Sequence, residues 1–391
     1  MRKFFGYSFA LTLVVLLIVY GVWTGQRPAG HYLSDLRIQL VIDEGQPGER
    51  GNLLGIQPEL FPADYQSLDR LHRKLAAYLQ QARDQGLINS RTIVVLPEHI
   101  GTWLFALGEK EELYQATTIE EAMNWLSASN PLQFVTAMLR AKGDSRVDDA
   151  HLRMKARFMA KNYQTLFGGL AREFGVTLVA GSIVLPDPHV DEGRLRIGSG
   201  PLYNSTVVFG SDGLPMGQPQ WQLFPALYQR TYIQPAVNAP LNVIDTPAGR
   251  LAVLIGNDSW YPSNYARLND SGAELIAVPA FLAGSGRWYA PWRGAKADPS
   301  SPPIGLKPEV VNTTSVITEG NAWRQLALSG HAHSSARAGI SVFMRGQFWD
   351  QGSSGHSFTS HDGQNSAELQ FIASPPGVKP GHGARMINLW L

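Results

Sequence analysis

The sequence predicts an α/β protein with one N-terminal membrane helix. Short apolar runs with the alternation of strands are interspersed with segments whose apolar residues recur every three or four positions, as in helices. This order is typical of a layered α/β domain. The 391 residues are 44% hydrophobic, enough for one sizeable core. Internal repeats and a second domain boundary are absent from the pattern.

Composition excludes several classes of function. The 33 basic and 32 acidic residues leave a formal charge of +1, so no overall field attracts nucleic acid. Cysteine is absent, which excludes disulfides, thiolate metal sites and a thiol nucleophile. We therefore expect no nucleic-acid partner, and no cofactor is indicated.

The N-terminus predicts a membrane anchor. The stretch from Phe4 to Gly25 carries no charge and has about the 20 residues that a helix needs to cross a bilayer. It lacks the shorter apolar region and the small-residue cleavage site of a signal peptide, so we expect it to stay uncleaved. Arg2 and Lys3 favour a cytoplasmic N-terminus, with a single span and the domain outside, in the periplasm if the source is bacterial.

We expect three regions along the chain. Residues 1–25 form the anchor, and residues 26–34 form a tether that contains Pro28 and Gly30. Residues 35–391 form the folded domain.

The first half of the domain opens with a strand in DLRIQLVID, followed by a loop. The apolar stripe from Leu68 to Ala82 predicts a helix, with Gly86 at its C-terminal cap. A buried strand from Thr92 to Leu96 ends at Pro97. Weak patterning over 105–149 indicates a helical insertion.

The second half begins with an amphipathic helix from Leu152 to Phe174. A Gly, Pro and Ser-rich segment, 283–308, predicts a long surface loop, and AWRQLALSGHAHSSARA predicts a helix after it. The strands are predicted in VTLVAGSIV, LYNSTVVFG, LNVID, LAVLIG, ELIAVP and ISVFMRG.

Five segments in this order resemble a known family. They are VVLPEHIGTW, LYNSTVVFGSDG, QWQLFPALY, TPAGRLAVLIGNDSWYPSNYARLNDSGAELIAVPA, and ARAGISVF followed by GSSGHS. Together they resemble the successive signatures of the nitrilase, or carbon–nitrogen hydrolase, superfamily from about Leu36 to Ile372. The resemblance implies a four-layer α-β-β-α sandwich, commonly paired into homodimers.

Enzymes of that family use a cysteine nucleophile, a glutamate base, a lysine that stabilises the oxyanion, and a second glutamate eight residues beyond the lysine. The base matches Glu98. The lysine position holds Gln220, the second glutamate position holds Tyr228, and the cysteine position holds Gly256. The resemblance therefore implies a degenerate site in which only Glu98 is retained.

The residues after Gly256 are candidates for lining a pocket. They are Asn257, Asp258, Ser259 and Trp260. We interpret Asp258 as structural, orienting the turn. Ser259 is an alternative nucleophile in principle, but no histidine or lysine lies close in sequence to activate it.

Two other groups have weaker functional interpretations. His331 and His333 form an H-x-H pair, which diverges on a helix, so we predict no metal site. Trp288, Trp292 and Trp323 line either a cleft or the core, and the loop at 283–308 is a candidate cover for the pocket.

The favoured hypothesis is a membrane-anchored, catalytically inactive relative that binds a small amide or acyl ligand or a membrane partner. The competing hypothesis is a hydrolase or acyltransferase with a rebuilt site that uses Glu98, Gln220 and either Ser259 or water. A third is a structural subunit that binds no small molecule.

Overall fold

The computed structural model describes residues 2–26, 32–292, 317–328, 334–366 and 383–391. The helices are α1 (Arg2–Gly25), α2 (Leu68–Asp84), α3 (Glu111–Gln115), α4 (Ile119–Ser129), α5 (Pro131–Arg140), α6 (Arg146–Tyr163), α7 (Gly169–Phe174), α8 (Pro262–Asp270) and α9 (Glu319–Leu326). A π-helical turn, Gln164–Gly168, joins α6 to α7. The helical insertion predicted over 105–149 is thus observed as α3, α4 and α5.

The first large sheet has six strands in the order β1-β18-β2-β4-β5-β8. These are β1 (Ile38–Glu44), β2 (Asn52–Gln57), β4 (Thr92–Val95), β5 (Thr177–Val179), β8 (Val208–Phe209) and β18 (Ala384–Trp390). Strands β2, β4 and β5 are parallel neighbours. Every residue of these three strands is buried, as expected for parallel strands covered on both faces.

The second large sheet also has six strands, in the order β10-β11-β12-β13-β16-β17. These are β10 (Val243–Thr246), β11 (Gly249–Val253), β12 (Leu275–Ala280), β13 (Ala338–Phe343), β16 (Phe358–His361) and β17 (Gln364–Asn365). Strands β11, β12 and β13 are parallel. Each large sheet therefore has a parallel centre with antiparallel strands at an edge.

Two smaller sheets complete the described strands. One has the order β15-β14-β3 and the other β6-β7-β9. Their strands are β3 (Glu59–Leu60), β6 (Ile183–Asp191), β7 (Arg194–Thr206), β9 (Gln220–Trp221), β14 (Arg345–Phe348) and β15 (Gln351–Ser353).

Residues of the two large sheets share one buried apolar cluster. Leu53 and Val95 of the first sheet belong to the same cluster as Val253 and Ile340 of the second. Gly55 of β2 allows this close approach, because a Cβ there would lie 2.7 Å from a methyl carbon of Val342. The α/β class predicted from the sequence is confirmed.

Separate clusters cover the other faces of the sheets. Helices α2, α6 and α7 contribute to the cluster that contains β4 and β5, while α8 and α9 contribute to the cluster that contains β12. Turns at the carboxyl ends of β4 and β11 follow these packed strands, and they carry the candidate site.

The structure corrects two of the predictions. The region after β1, predicted as a loop, contains β2 in the middle of the first sheet; its residues are buried on both faces, so the period-two signal is missing. The last helix ends at Leu326, because Ala327 is extended and Leu328 has a left-handed φ of 65°.

Some predictions fall on residues outside the described ranges. These are tether residues 27–31, loop residues 293–308, and the pair His331 and His333. Helix α1 contains a 21-residue stretch, Phe5–Gly25, with a mean hydropathy of 2.2. Its length and composition are sufficient to cross a membrane.

Candidate functional site

Glu98 lies three residues beyond β4 and is 4% exposed. Its Oε1 accepts hydrogen bonds from the side-chain amides of Asn204, at 2.9 Å, and Gln222, at 3.2 Å. These donors come from β7 and from the segment after β9, so residues remote in sequence meet at one carboxyl group.

Burial controls the ionisation of Glu98. Loss of solvation, and after it the nearby Asp258 carboxylate, raise the pKa of Glu98 from 4.5 to about 8, against the opposing effect of the hydrogen bonds from Asn204 and Gln222. Glu98 is therefore mostly protonated at neutral pH. In that form it is a weak base.

Gly256 begins the 3₁₀ turn that follows β11 and has a left-handed φ of 52°. A Cβ added there would lie 2.8 Å from Oε2 of Glu98 and 3.3 Å from Nε2 of Gln222. Two positions picked out by the sequence, Glu98 and Gly256, thus face each other. The space beside Gly256 is filled by the side chains of Glu98 and Gln222.

The side chain of Gln220 does not reach this centre. Its Nε2 donates to the backbone oxygens of Trp221, at 3.0 Å, and Pro240, at 3.4 Å, and its Oε1 accepts from the backbone N–H of Asn242. The amide in the site belongs to Gln222, which also donates to the carbonyl oxygen of Ile255 at 3.1 Å.

Asp258 ties the turn to the neighbouring segment. Its carboxylate accepts from the backbone N–H groups of Leu223, at 2.9 Å, and Phe224, at 2.7 Å. Burial raises the pKa of Asp258 to about 7, opposed by these backbone donors. The Asp258 side chain therefore connects the turn after β11 to the segment after β9.

The other residues of the turn are held in place in different ways. The Ser259 hydroxyl is fully buried and donates to the backbone oxygen of Gly256 at 2.8 Å. Trp260 packs edge-to-face on Trp323, with ring centroids 4.8 Å apart. Asn257 is half-buried.

His99 is a site residue that the sequence did not single out. It is buried, has a left-handed φ of 64°, and its Nε2 lies 3.7 Å from Oε1 of Glu98. Its Nε2 also lies 2.9 Å from the amide nitrogen of Gln229, and its Nδ1 lies 3.2 Å from the Thr102 hydroxyl. Non-glycine residues in this backbone region are concentrated at functional sites.

The ionisation and tautomer of His99 follow from its surroundings. Burial lowers the pKa of His99 to about 4, so the ring is neutral at physiological pH. The Gln229 oxygen accepts from the backbone N–H of Ala226, which directs the amide N–H groups toward His99. Nε2 therefore accepts, and the proton lies on Nδ1, facing Thr102.

A cavity of about 500 Å³ adjoins the far side of His99. Helices α4 and α6 line one side of it, and the lining residues include His99, Trp103, Met123, His151, Tyr228 and Phe281. Tyr228 is 58% exposed and is one of the residues that line this cavity. Glu98 and Gly256 are absent from its lining, whereas His99, whose Nε2 lies 3.7 Å from Oε1 of Glu98, is part of it.

Three other tryptophans picked out by the sequence, Trp288, Trp292 and Trp323, differ in burial. Trp288 and Trp323 are buried in the cluster of the second sheet, and Trp292 packs against that cluster. Trp288 also stacks on His356, with ring centroids 5.0 Å apart. Within the described residues, no group of three or more His, Cys, Asp or Glu side chains is arranged to hold a metal ion.

These features define an α/β protein in which a buried glutamate after one parallel strand faces a tight turn after another. The family model for carbon–nitrogen hydrolases matches residues 56–296, which is more than half of the chain. The protein therefore belongs to the carbon–nitrogen hydrolase family of the nitrilase superfamily.

Solved structures of an amidase from Nesterenkonia sp. are among those similar to this chain. One is 16% identical and covers 88% of this chain and 92% of its own, with a TM-score of 0.49. A double mutant in complex with acrylamide is 14% identical, covers 88% and 93%, and has a TM-score of 0.49. Comparison with curated proteins gives no match.

Proposed function

We propose that this protein is a membrane-anchored, catalytically inactive member of the family that binds a small amide or acyl ligand. The observation that carries the proposal is Gly256, which has no side chain and stands where the family resemblance implies the nucleophile. Its neighbours Glu98 and Gln222 fill the adjacent space.

No other described group near the turn supports nucleophilic attack. The Ser259 hydroxyl is fully buried, donates to the backbone oxygen of Gly256, and has no basic side chain among its recorded partners. Glu98 is mostly protonated at neutral pH, and the amides of Asn204 and Gln222 carry no charge to stabilise an oxyanion.

The cavity beside His99 supports a binding role. Its volume of about 500 Å³ is in the range of small-molecule sites. The aromatic faces of Trp103 and Phe281 suit an aliphatic or acyl group. Tyr228, Gln229 and the histidines of the lining offer polar contacts for an amide or carbonyl group.

The same proposal includes the arrangement of the chain. Residues 1–25 span the membrane, residues 26–34 are the tether, and residues 35–391 form an extracytoplasmic domain. The shared cluster between the two large sheets, with helices on their other faces, supports a four-layer α-β-β-α sandwich. A homodimer remains a proposal drawn from the family resemblance.

The test of inactivity is turnover by the full chain on a panel of amides, nitriles and acyl esters. We expect none from the wild type or from Glu98→Gln. Gly256→Cys and the double variant Gly256→Cys/Gln222→Lys ask whether the scaffold supports the chemistry once a thiol and a cation are supplied. Wild-type turnover that disappears in Glu98→Gln would instead establish a rebuilt enzyme.

Ligand binding is tested separately, by thermal shift and calorimetry with a series of short-chain aliphatic amides. Asn124→Trp places a bulky side chain at the cavity lining, and Gln115→Trp on α3 is the matched control outside that lining. We expect a shift that the control retains and Asn124→Trp loses. If no amide of the series binds the wild type or the Gln115→Trp control, the result would support a structural subunit instead.

A further inference from the structure

We propose that α5 lies on the surface of the membrane that α1 enters, with its exposed apolar face among lipid tails and nearby basic side chains at anionic phospholipid headgroups. The proposed occupant of this face is the bilayer itself. This placement depends on the proposed membrane insertion of α1 and adds a second membrane contact to it.

Helix α5 has two apolar faces, of which one is uncovered. On the inner face, Ala137 is buried and the ring of Phe134 stacks on His151, with centroids 5.0 Å apart. On the outer face, Leu132, Val135 and Leu139 are 83%, 58% and 80% exposed. Their spacing of three and four residues aligns them in one stripe, whereas exposed apolar residues on a soluble surface are usually scattered.

The position of α1 shows what this stripe faces. The rings of Trp23 and Trp125 lie 6.2 Å apart, and the Tyr20 hydroxyl donates to the backbone oxygen of Ala128 at 2.6 Å. Tyr20 precedes Trp23 by three residues in α1, whereas Ala128, which Tyr20 contacts, follows Trp125 by three residues in α4. The two helices run antiparallel.

The chain reaches Pro131, the first residue of α5, three residues after Ala128, which contacts Tyr20 one turn beyond Leu17 of α1. Leu17 lies inside the apolar stretch Phe5–Gly25. Tyr20 and Trp23 stand near the end of that stretch, where aromatic residues mark the membrane interface. A bilayer that surrounds α1 up to these rings therefore reaches the start of α5.

Polar contacts fix this geometry. Trp23 Nε1 donates to a carboxylate oxygen of Glu112 at 3.0 Å, and Lys110 Nζ donates to the backbone oxygens of Gln26, at 2.6 Å, and Trp23. The ammonium group of Lys110 also lies 5.1 Å from the centre of the Trp23 ring. The last turn of α1 is thus docked on the helical insertion that contains α5.

Charge beside the stripe complements anionic lipid. An open groove of about 880 Å³ is lined by Leu132 and Leu139 together with Arg140, Lys142 and Arg157. Arg153 lies in the same groove and is paired with Asp149. Arg140, Lys142 and Arg157 form no ion pair with a described residue. Apolar residues next to unpaired basic residues are the pattern of helices that lie in the lipid interface.

A second copy of the chain is a weaker occupant for this face. One apolar stripe on a ten-residue helix is small compared with the roughly 800 Å² per partner that a stable interface buries. Continuity with α1 favours lipid. Because α5 connects α4 to α6, and both line the cavity beside His99, a membrane contact at α5 would also hold that cavity near the bilayer.

The experiment uses single-cysteine variants of the full chain, since the natural sequence has no cysteine and each introduced thiol is the one labelling site. Leu132→Cys, Val135→Cys and Leu139→Cys carry an environment-sensitive fluorophore. Each protein is reconstituted into phosphatidylcholine vesicles containing phosphatidylglycerol, with and without lipids that carry a nitroxide quencher high on the acyl chain. The anchor control at Leu13, near the middle of the span, uses lipids whose nitroxide lies near the end of the acyl chain.

We expect blue-shifted emission and about threefold more quenching at these positions than at two exposed controls. Gln80→Cys in α2 and Asp245→Cys in β10 are these controls, and neither residue lines the groove beside the stripe. Quenching at the stripe should also fall when phosphatidylglycerol is omitted.

Leu13→Cys in α1 separates failure of this inference from failure of the anchor. Quenching at Leu13 with only control-level quenching at the stripe would overturn the placement of α5 and leave the anchor intact. Blue-shifted stripe labels that lipid nitroxides do not quench would overturn it in favour of a second copy. Absence of quenching at Leu13 and the stripe would overturn both.

Discussion

The carboxyl group of Glu98 and the α-carbon of Gly256 face each other so closely that a Cβ on the glycine would lie 2.8 Å from Oε2. One residue follows a parallel strand of the first large sheet and the other follows a parallel strand of the second. Their contact therefore lies where the carboxyl ends of strands from the two sheets meet.

This contact predicts that Gly256→Ala is unusually destabilising. Alanine must adopt a φ of 52° and also displace Glu98, so we expect a loss of about 3 kcal/mol in the free energy of unfolding. Gly86→Ala is the matched control, because Gly86 has a φ of 75° but an added Cβ meets nothing within 4 Å. We expect about 1 kcal/mol for the control.

Denaturant unfolding of both variants measures the difference. The steric part of the cost should shrink when Gly256→Ala is combined with Glu98→Ala, which empties the space that the new methyl group needs. Equal costs for Gly256→Ala and Gly86→Ala would show that the contact with Glu98 is unimportant.

The raised pKa of Glu98 predicts that the stability of the protein falls as pH rises from about 5 to about 8. Its pKa is raised from 4.5 to about 8, so the folded state keeps a proton that the unfolded state releases. The stabilisation that comes from this proton is complete below 4.5, the pKa in the unfolded state, and is lost as pH rises through about 8, the pKa in the folded state. Glu98→Gln removes this titration, and between pH 5 and pH 9 we expect the wild type to lose about 4 kcal/mol more than the variant.

Urea unfolding across this pH range tests the titration. Glu49→Gln, at an exposed glutamate, is the control and should follow the wild type. The pKa of Asp258 is also raised, to about 7, so Glu98→Gln should retain part of the decline. Parallel curves for the wild type and Glu98→Gln would contradict a raised pKa at Glu98.

Asp258 is predicted to act through backbone hydrogen bonds. Asp258→Ala leaves the buried N–H groups of Leu223 and Phe224 without their acceptor, and we expect a cost of about 3 kcal/mol. Asp258→Asn keeps one acceptor oxygen and should cost less. Ser259→Ala removes one hydrogen bond, to Gly256, and should cost about 1 kcal/mol. Thermal and urea unfolding would rank the three variants, and a Ser259→Ala cost equal to that of Asp258→Ala would argue against this role.

A buried ion pair gives a further prediction. Lys74 Nζ lies 2.9 Å from Oδ2 of Asp64, both side chains are almost fully buried, and Ser34 donates to the other carboxylate oxygen at 2.7 Å. Lys74→Met leaves an uncompensated carboxylate and should cost about 3–5 kcal/mol. The double variant Lys74→Met/Asp64→Leu should unfold at a higher urea concentration than the single variant. If it does not, charge burial is not the cause.

Strongly periodic elements could be predicted from the sequence. The stripe from Leu68 to Ala82 predicted α2, and the apolar stretch of α1 was clear from composition. Glu98 and Gly256 were singled out by the resemblance of short motifs to a family, and the structure brings the two residues together. In each case the signal lies in neighbouring residues, so no long-range contact was needed to detect it.

Other features depend on residues far apart in the chain. Strand β2 was missed because burial on both faces removes the alternation that marks a strand. Gln222 rather than Gln220 contacts Glu98, since the path of the chain after β9 decides which amide points inward. His99 depends on Gln229, which lies 130 positions away in the chain.

The sequence by itself determined the α/β class, the apolar helix α1 and the absence of a cysteine. Only the tertiary structure decided that Glu98 is buried against Gly256, that its pKa is raised, and that α4, the helix before α5, lies against the end of α1. The physical reason is that composition and periodicity are local properties. Desolvation and the filling of space depend on which distant segments meet when the two sheets pack.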